Sequence, residues 1–239
     1  MKLEEVEVRD TAKPLDVVVP GYIPPAVPPT PEQRASELER LARDYIARAR
    51  KQDAIARYEA YCPPEYKSYD RNHPVAAANM ENINRILSWK YGKRGLLVTG
   101  PTGVNKTRSL WELTRRLAHD DGVDFRYYNA SDWLSGLHEC VKYGRDEAKG
   151  WVDKLGWCPL VIIDDWGQEA TLKSREDWAQ AWFFRFLDLR IERGLPVVMT
   201  TNLKACDIAE RSDAIRGDPL IRRMLEIMDV VNFWPQDRK

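Results

Sequence analysis

Apolar residues along this chain fall into two rhythms. Short runs bounded by turn residues, GLLVT (Gly95–Thr99), LVIID (Leu160–Asp164) and PVVMT (Pro196–Thr200), predict buried strands. FRYYNA (Phe125–Ala130) predicts another, and DVVNF (Asp229–Phe233) a last edge strand. Between them the spacing lengthens to three and four. Leu110, Leu113 and Leu117 predict a helix over Arg108–His119, and further helices are expected from about Ser131 and over Trp178–Arg193. Upstream, Ile83, Ile86, Leu87 and Trp89 mark a helix over Val75–Tyr91. A longer one is predicted over Pro31–Tyr61, with Leu38, Leu41, Tyr45, Ile46, Ala49, Ile55 and Tyr58 forming its packed face. Thr30 caps that helix, Pro31 occupies its first position with Glu32 and Gln33 in the first turn, and Pro63 and Pro64 end it. Alternating strands and helices imply an α/β fold with a mostly parallel five-stranded sheet and ligands at the carboxyl ends of the strands.

Seven prolines from Pro14 through Pro31 block helix and central strand alike. The expected organisation is therefore an extended Pro-rich tail (1–31), an Arg-rich helical arm (32–61) and one α/β domain (62–239). Arg40, Arg43, Arg48, Arg50, Lys51 and Arg57 occupy much of the arm's polar surface. Interleaved acids make this a solvated face, with a partner or phosphate surface as the other reading.

Charge then narrows the function. Lys plus Arg and Asp plus Glu both number 37 in 239 residues, so nothing pulls the whole chain toward nucleic acid or membrane, and any nucleic-acid contact needs a local patch. The mixed, charged start MKLEEVEVRD does not resemble a signal peptide, and no run approaches the roughly 18 apolar residues of a membrane span. A soluble, cytoplasmic protein is expected. Cys62, Cys140, Cys158 and Cys206 form no C-x-x-C pair, which argues for reduced thiols rather than a zinc site.

Three stretches carry chemistry. GPTGVNKT (Gly100–Thr107) joins a strand to a helix and follows the phosphate-loop pattern G-x-x-x-x-G-K-[ST], except that Asn105 stands where the second glycine belongs. The candidate nucleotide-binding residues are Gly100, Pro101, Thr102, Gly103, Val104, Asn105, Lys106, Thr107 and Arg108. In such loops the backbone amides surround a phosphate at the positive end of the helix, the lysine reaches the terminal phosphates and the hydroxyl ligates magnesium. Asparagine tolerates positive φ better than other non-glycine residues but adds bulk beside the phosphate. An outward side chain preserves binding at lower affinity; an inward one occludes the pocket. LVIIDDWGQE (Leu160–Glu169) ends a strand in two acids, Asp164 to hold Mg²⁺ with Thr107 and Asp165 to deprotonate the attacking water, with Glu169 as an alternative base. VVMTTN (Val197–Asn202) ends a strand in an amide able to bond the γ-phosphate or that water.

Together these stretches resemble the AAA+ ATPases, and more narrowly the DnaC-type helicase loaders and the IstB-like transposition helpers. The similarity runs from about Tyr61 to Phe233 and includes the Arg-Arg pair of PLIRRMLE (Pro219–Glu226). It implies a three-layer P-loop sandwich, with the loop, the double acid and Asn202 as Walker A, Walker B and sensor 1. It further implies a Mg²⁺-dependent ATPase whose arginine finger, Arg223 before Arg222, acts on a neighbouring subunit's nucleotide. Such proteins assemble as oligomers on single-stranded DNA and deliver a replicative helicase, which here would meet the arm before Tyr61. Two alternatives stay open: an ATPase-fold interaction protein whose nucleotide binding is impaired at Asn105, and a transposition helper. The tryptophans Trp133, Trp151, Trp157, Trp166, Trp178 and Trp182 are expected in the core or at subunit interfaces, with base stacking as the other use.

Overall fold

Strands β1 (Gly95–Thr99), β2 (Phe125–Asn129), β3 (Leu160–Trp166), β4 (Val197–Thr201) and β5 (Met228–Asn232) lie in the order β2-β3-β4-β1-β5. Every pairing is parallel. The computed structural model describes residues 30–68, 73–167, 177–204 and 217–234; the Pro-rich tail before Thr30, Glu169, Cys206 and the side chain of Trp178 lie outside them. The helices are α1 (Pro31–Tyr61), α2 (Pro74–Ala78), α3 (Met80–Ser88), α4 (Lys106–His119), α5 (Ala130–Tyr143), α6 (Arg145–Trp157), α7 (Asp177–Arg193) and α8 (Gly217–Ile227), with a 3₁₀ turn at Pro64–Tyr66.

The two faces of the sheet follow from the period-2 alternation of its strands. Leu96, Val98, Leu160, Ile162 and Val198 pack with Ala54 and Tyr58 of α1, Ile83 and Ile86 of α3, and Leu110, Leu113 and Leu117 of α4. Leu97, Val161, Ile163, Val197 and Met199 face the other way, onto Trp133 and Leu137 of α5, Ala148 and Val152 of α6, and Phe183, Phe186 and Leu187 of α7. The result is the expected three-layer α/β sandwich.

The chain divides into two units, Met1–Arg43 and Asp44–Lys239. In the first, α1 opens with a reciprocal capping box. The Gln33 N–H donates to Thr30 Oγ1 (3.2 Å) and the Thr30 N–H to Gln33 Oε1 (2.8 Å). The single packed face expected along α1 is corrected. Leu38, Leu41, Tyr45 and Ile46 are exposed, and the helix's buried residues are Ala54 and Tyr58. Their periodicity reports an amphipathic helix, not what covers it.

Three other expectations change. The helix over Val75–Tyr91 is two helices that meet at Asn79 and stop at Ser88, where Trp89 turns extended. The stretch after Ser131 is a hairpin of α5 and α6, broken at Gly144, whose φ of 130° and ψ of 166° suit glycine alone. Strand β3 runs on past Asp164 to Trp166 through an irregularity that matters for the site.

Two polar features brace the sheet. Arg190 of α7 is fully buried and donates to the carbonyls of Leu155 (3.3 Å), Cys158, Pro159 (3.0 Å) and Pro196, tying α6 to the starts of β3 and β4. Burial pushes its guanidinium down to about 10, so it stays charged at neutral pH. Along the outer edge of β5, the carbonyls of Met228, Val230 and Asn232 accept from Arg94 (2.9 Å), Arg85 (3.0 Å) and Asn82 (2.9 Å). No helix among the described residues is long and apolar enough to cross a membrane.

Candidate nucleotide site

The carboxyl ends of β1, β3 and β4 bring the three motifs together. Between β1 and α4 the chain alternates backbone hand: Gly103 at φ 86° and Asn105 at φ 70° are positive, while Val104 between them and Lys106 after them are not. Such alternation turns successive N–H groups into one concavity, a nest for an anion at the positive end of α4. Asn105 thus adopts the left-handed conformation that the missing glycine would have supplied. It stands at the N-cap of α4, yet its side chain makes no capping hydrogen bond, so the first-turn N–H groups stay available to a ligand. Nothing lies within 4 Å of where a Gly103 Cβ would project, so the mouth of the loop is open. The loop therefore fits a phosphate.

Thr102, Gly103, Asn105, Lys106, Thr107 and Arg108 line one wall of a cleft of about 270 Å³, and Asp165, Asn202 and Tyr66 line the rest. Val104 is different: its side chain packs against the apolar core and anchors the loop. Gly100 and Pro101 contribute carbonyls, which accept from Lys106 Nζ at 2.9 and 2.8 Å, and Asn202 Oδ1 accepts a third bond from the same ammonium. Lys106 is 5% exposed, and burial lowers its pKa while the Asp165 and Asp164 carboxylates oppose that shift.

The double acid is split by a β-bulge. Ile163 pairs with Met199 and Trp166 with Thr201, so β3 spends one more residue than β4 across that interval. Asp165 sits in the bulge at φ 57°, and its N–H donates to Thr200 Oγ1 (2.8 Å). The bulge sends the two acids to different tasks. Asp164 is buried and accepts from Tyr127 Oη (2.7 Å) and from the Thr200 hydroxyl, with the Thr107 hydroxyl near enough to lower its pKa. Burial raises its pKa, and the hydroxyl donors counter that effect. Asp165 faces the cleft, where Asn202 Nδ2 donates to its Oδ1 (3.3 Å). Asn202 therefore links the lysine to the second acid. The Thr107 hydroxyl beside the Asp164 carboxylate is a pair of hard oxygen donors, a set that suits Mg²⁺.

Of the expected site residues that are described, Arg223 and its alternative Arg222 lie apart. Arg223 projects from α8, ion-paired with Asp188 of α7 and 5.9 Å from the Phe184 ring centre. Arg222 beside it is exposed. Glu226, further along α8, offers its backbone carbonyl to Arg94 (2.7 Å).

The sequence model of the IstB-like ATP binding proteins matches residues 37–233. The chain belongs to that family. No curated protein matches this IstB-like chain. Solved structures do. A crystal structure of DnaI, 18% identical, superimposes with a TM-score of 0.54 over 75% of this chain and 95% of its own. The DnaC helicase loader, 17% identical, gives a TM-score of 0.54 over 70% of this chain and 94% of its own. The replication initiator DnaA bound to AMPPCP and single-stranded DNA, 14% identical, gives 0.55 over 74% of this chain and 52% of its own. At these identities the likeness establishes the P-loop AAA+ fold.

Thr200 and Tyr127 are site residues that motif reading passes over. Both lie within quoted stretches, VVMTTN and FRYYNA, but a hydroxyl's role appears only once strand pairing sets Tyr127 and Thr200 on either side of Asp164. Tyr127 also stacks on Trp111 of α4, with ring centres 3.9 Å apart.

Proposed function

We propose that this IstB-like chain is an ATP-dependent replication factor, a helicase loader that assembles on single-stranded DNA and delivers a replicative helicase through its N-terminal arm. The observation that carries the reading is the convergence of an anion nest, a buried lysine, two divided carboxylates and a bridging amide in one cleft. Likeness to DnaI, the DnaC helicase loader and DnaA supports the replication role.

The nest amides of Gly103 to Thr107 surround the β-phosphate, and Lys106 exchanges its bonds to Gly100, Pro101 and Asn202 for the terminal phosphates. Thr107 and Asp164 would hold Mg²⁺, which would supply charge neutralisation at the phosphate oxygens. Asp165, oriented by the bulge and by Asn202, takes the proton of the attacking water. Arg223 or Arg222 of a neighbouring copy stabilises charge on the transferring group, so turnover follows assembly. The freedom of Arg222 from any intramolecular partner among the described residues supports giving it this role alongside Arg223.

Two observations favour other readings. Lys106 is held by three protein acceptors, which suits an ATPase-fold interaction protein with impaired nucleotide binding. Membership of the IstB-like family suits a transposition helper. Titration with AMPPCP and Mg²⁺ across the wild-type chain, Asn105→Gly and Lys106→Ala tests the first. Mg²⁺-dependent binding by the wild type, lost in Lys106→Ala, is expected; no binding until Asn105→Gly restores it would make this form an interaction protein. Capture of a replicative helicase by the residues before Tyr61 favours loading, whereas capture of a transposase alone rejects it.

A further inference from the structure

Tyr66 belongs to no motif, yet it forms part of the nucleotide cleft. It closes the 3₁₀ turn that follows α1, and that turn is pinned. The Tyr66 N–H donates to the Pro63 carbonyl (2.9 Å), and Lys67 Nζ reaches back to the Glu59 carbonyl (3.0 Å) and carboxylate (2.7 Å). The ring packs against the apolar core on one side, and the Arg108 guanidinium stands 5.6 Å from its centre. Arg108 also donates to the Ser68 carbonyl (3.3 Å), so the first turn of α4 holds this segment in place.

The Tyr66 hydroxyl makes no hydrogen bond among the described residues, and Tyr66 lines the same cleft as Lys106, Asp165 and Asn202. Burial, with the Glu65, Asp164 and Asp165 charges acting in the same direction, pushes the phenol's pKa up. An aromatic donor whose ring is held by Arg108 and the core, in a cleft lined by the anion nest and Asp165, suits a phosphate oxygen bound there.

We propose that Tyr66 is a specificity-determining residue whose hydroxyl donates to the terminal phosphate of a bound nucleoside triphosphate. The Tyr66–Arg108 pair then reads whether that phosphate is present. This assignment rests on the nucleotide reading above and extends it to discrimination between triphosphate and diphosphate.

The test is calorimetric titration of the full chain and of Tyr66→Phe with AMPPCP and with ADP, each with Mg²⁺. Phenylalanine keeps the ring against Arg108 and the core, and a thermal melt within a few degrees of wild type checks that the fold is intact. Loss of one hydrogen bond to a charged oxygen predicts about tenfold weaker AMPPCP binding, with ADP affinity within about twofold of wild type. Equal weakening of both nucleotides, or no change in either, overturns the assignment. A wild-type chain that binds neither nucleotide removes the nucleotide reading itself, and this assignment with it.

Discussion

Thr200→Val deletes one oxygen at a point where two acids depend on it. Thr200 is fully buried; its hydroxyl donates to Asp164 Oδ1 and accepts the Asp165 N–H at 2.8 Å. Valine has nearly the same shape, so little cavity opens, and the added methyl returns under about 1 kcal/mol. Against that, a hydrogen bond to a carboxylate is lost, about 1.5–3 kcal/mol, and a buried peptide N–H is left unsatisfied, about 1–3 kcal/mol. The losses share one oxygen and do not add fully, so a net destabilisation of about 2–4 kcal/mol is expected. In a chain of this size that lowers Tm by about 5–15 °C. The assay is urea denaturation followed by circular dichroism, with Thr200→Ser as control. Serine keeps the hydroxyl and gives up only a methyl, so its cost should stay near 1 kcal/mol. A Thr200→Val protein within about 0.5 kcal/mol of wild type, or a serine variant as unstable as valine, would refute the reasoning and leave Thr200 as packing alone. ATP turnover should fall further than stability does, because the bulge that aims Asp165 leans on the same oxygen.

Further outcomes follow from other residues. Arg190→Met removes donors from four carbonyls, those of Leu155 and Pro196 buried, and should cost about 3–5 kcal/mol in the same denaturation assay, more than an aliphatic replacement at a surface arginine. Asp164 titrates above the ordinary carboxylate range when folded, so the native state takes up its proton first as pH falls. Its contribution to stability therefore grows as pH drops from the folded pKa toward the unfolded one, while Mg²⁺-dependent nucleotide binding weakens over the same window. Asp164→Asn should remove both trends from paired stability and binding profiles. Arg223→Ala should cost under about 1 kcal/mol, as expected of a half-exposed ion pair with Asp188, and Arg222→Ala nothing measurable. If either supplies the finger, mixing that variant with a Lys106→Ala chain should show whether turnover survives only in sites whose neighbour keeps its arginine.

The sheet was legible because each strand is a short apolar run beside a turn, and the loop motif fixed which strand end carries the site. The periodicity of α4 and α7 likewise marked real helices. What sequence patterns missed depends on partners far along the chain. A bulge is a mismatch between two strands, so LVIIDDWG alone reads as straight strand, and nothing in it divides Asp164 from Asp165. Leu38, Leu41, Tyr45 and Ile46 have the spacing of a buried stripe, but burial is a property of the neighbour, not of the spacing. Arg190 looks like one more cation on a charged helix face until the four carbonyls around it are known. Asn105 shows the reverse case. Its letter breaks the motif, but its backbone adopts the conformation that the motif needs.

The capped carbonyls along β5 bear on whether another strand can join the sheet there. An edge strand with free backbone acceptors is a template on which another chain can lay a strand. Here Arg94, Arg85 and Asn82 already occupy the acceptors of Met228, Val230 and Asn232. A neighbour arriving on that side would have to break three side-chain bonds before forming any main-chain ones. Sheet continuation is thereby discouraged at β5, which leaves β2, at the far end of the order, as the other edge where a strand could add.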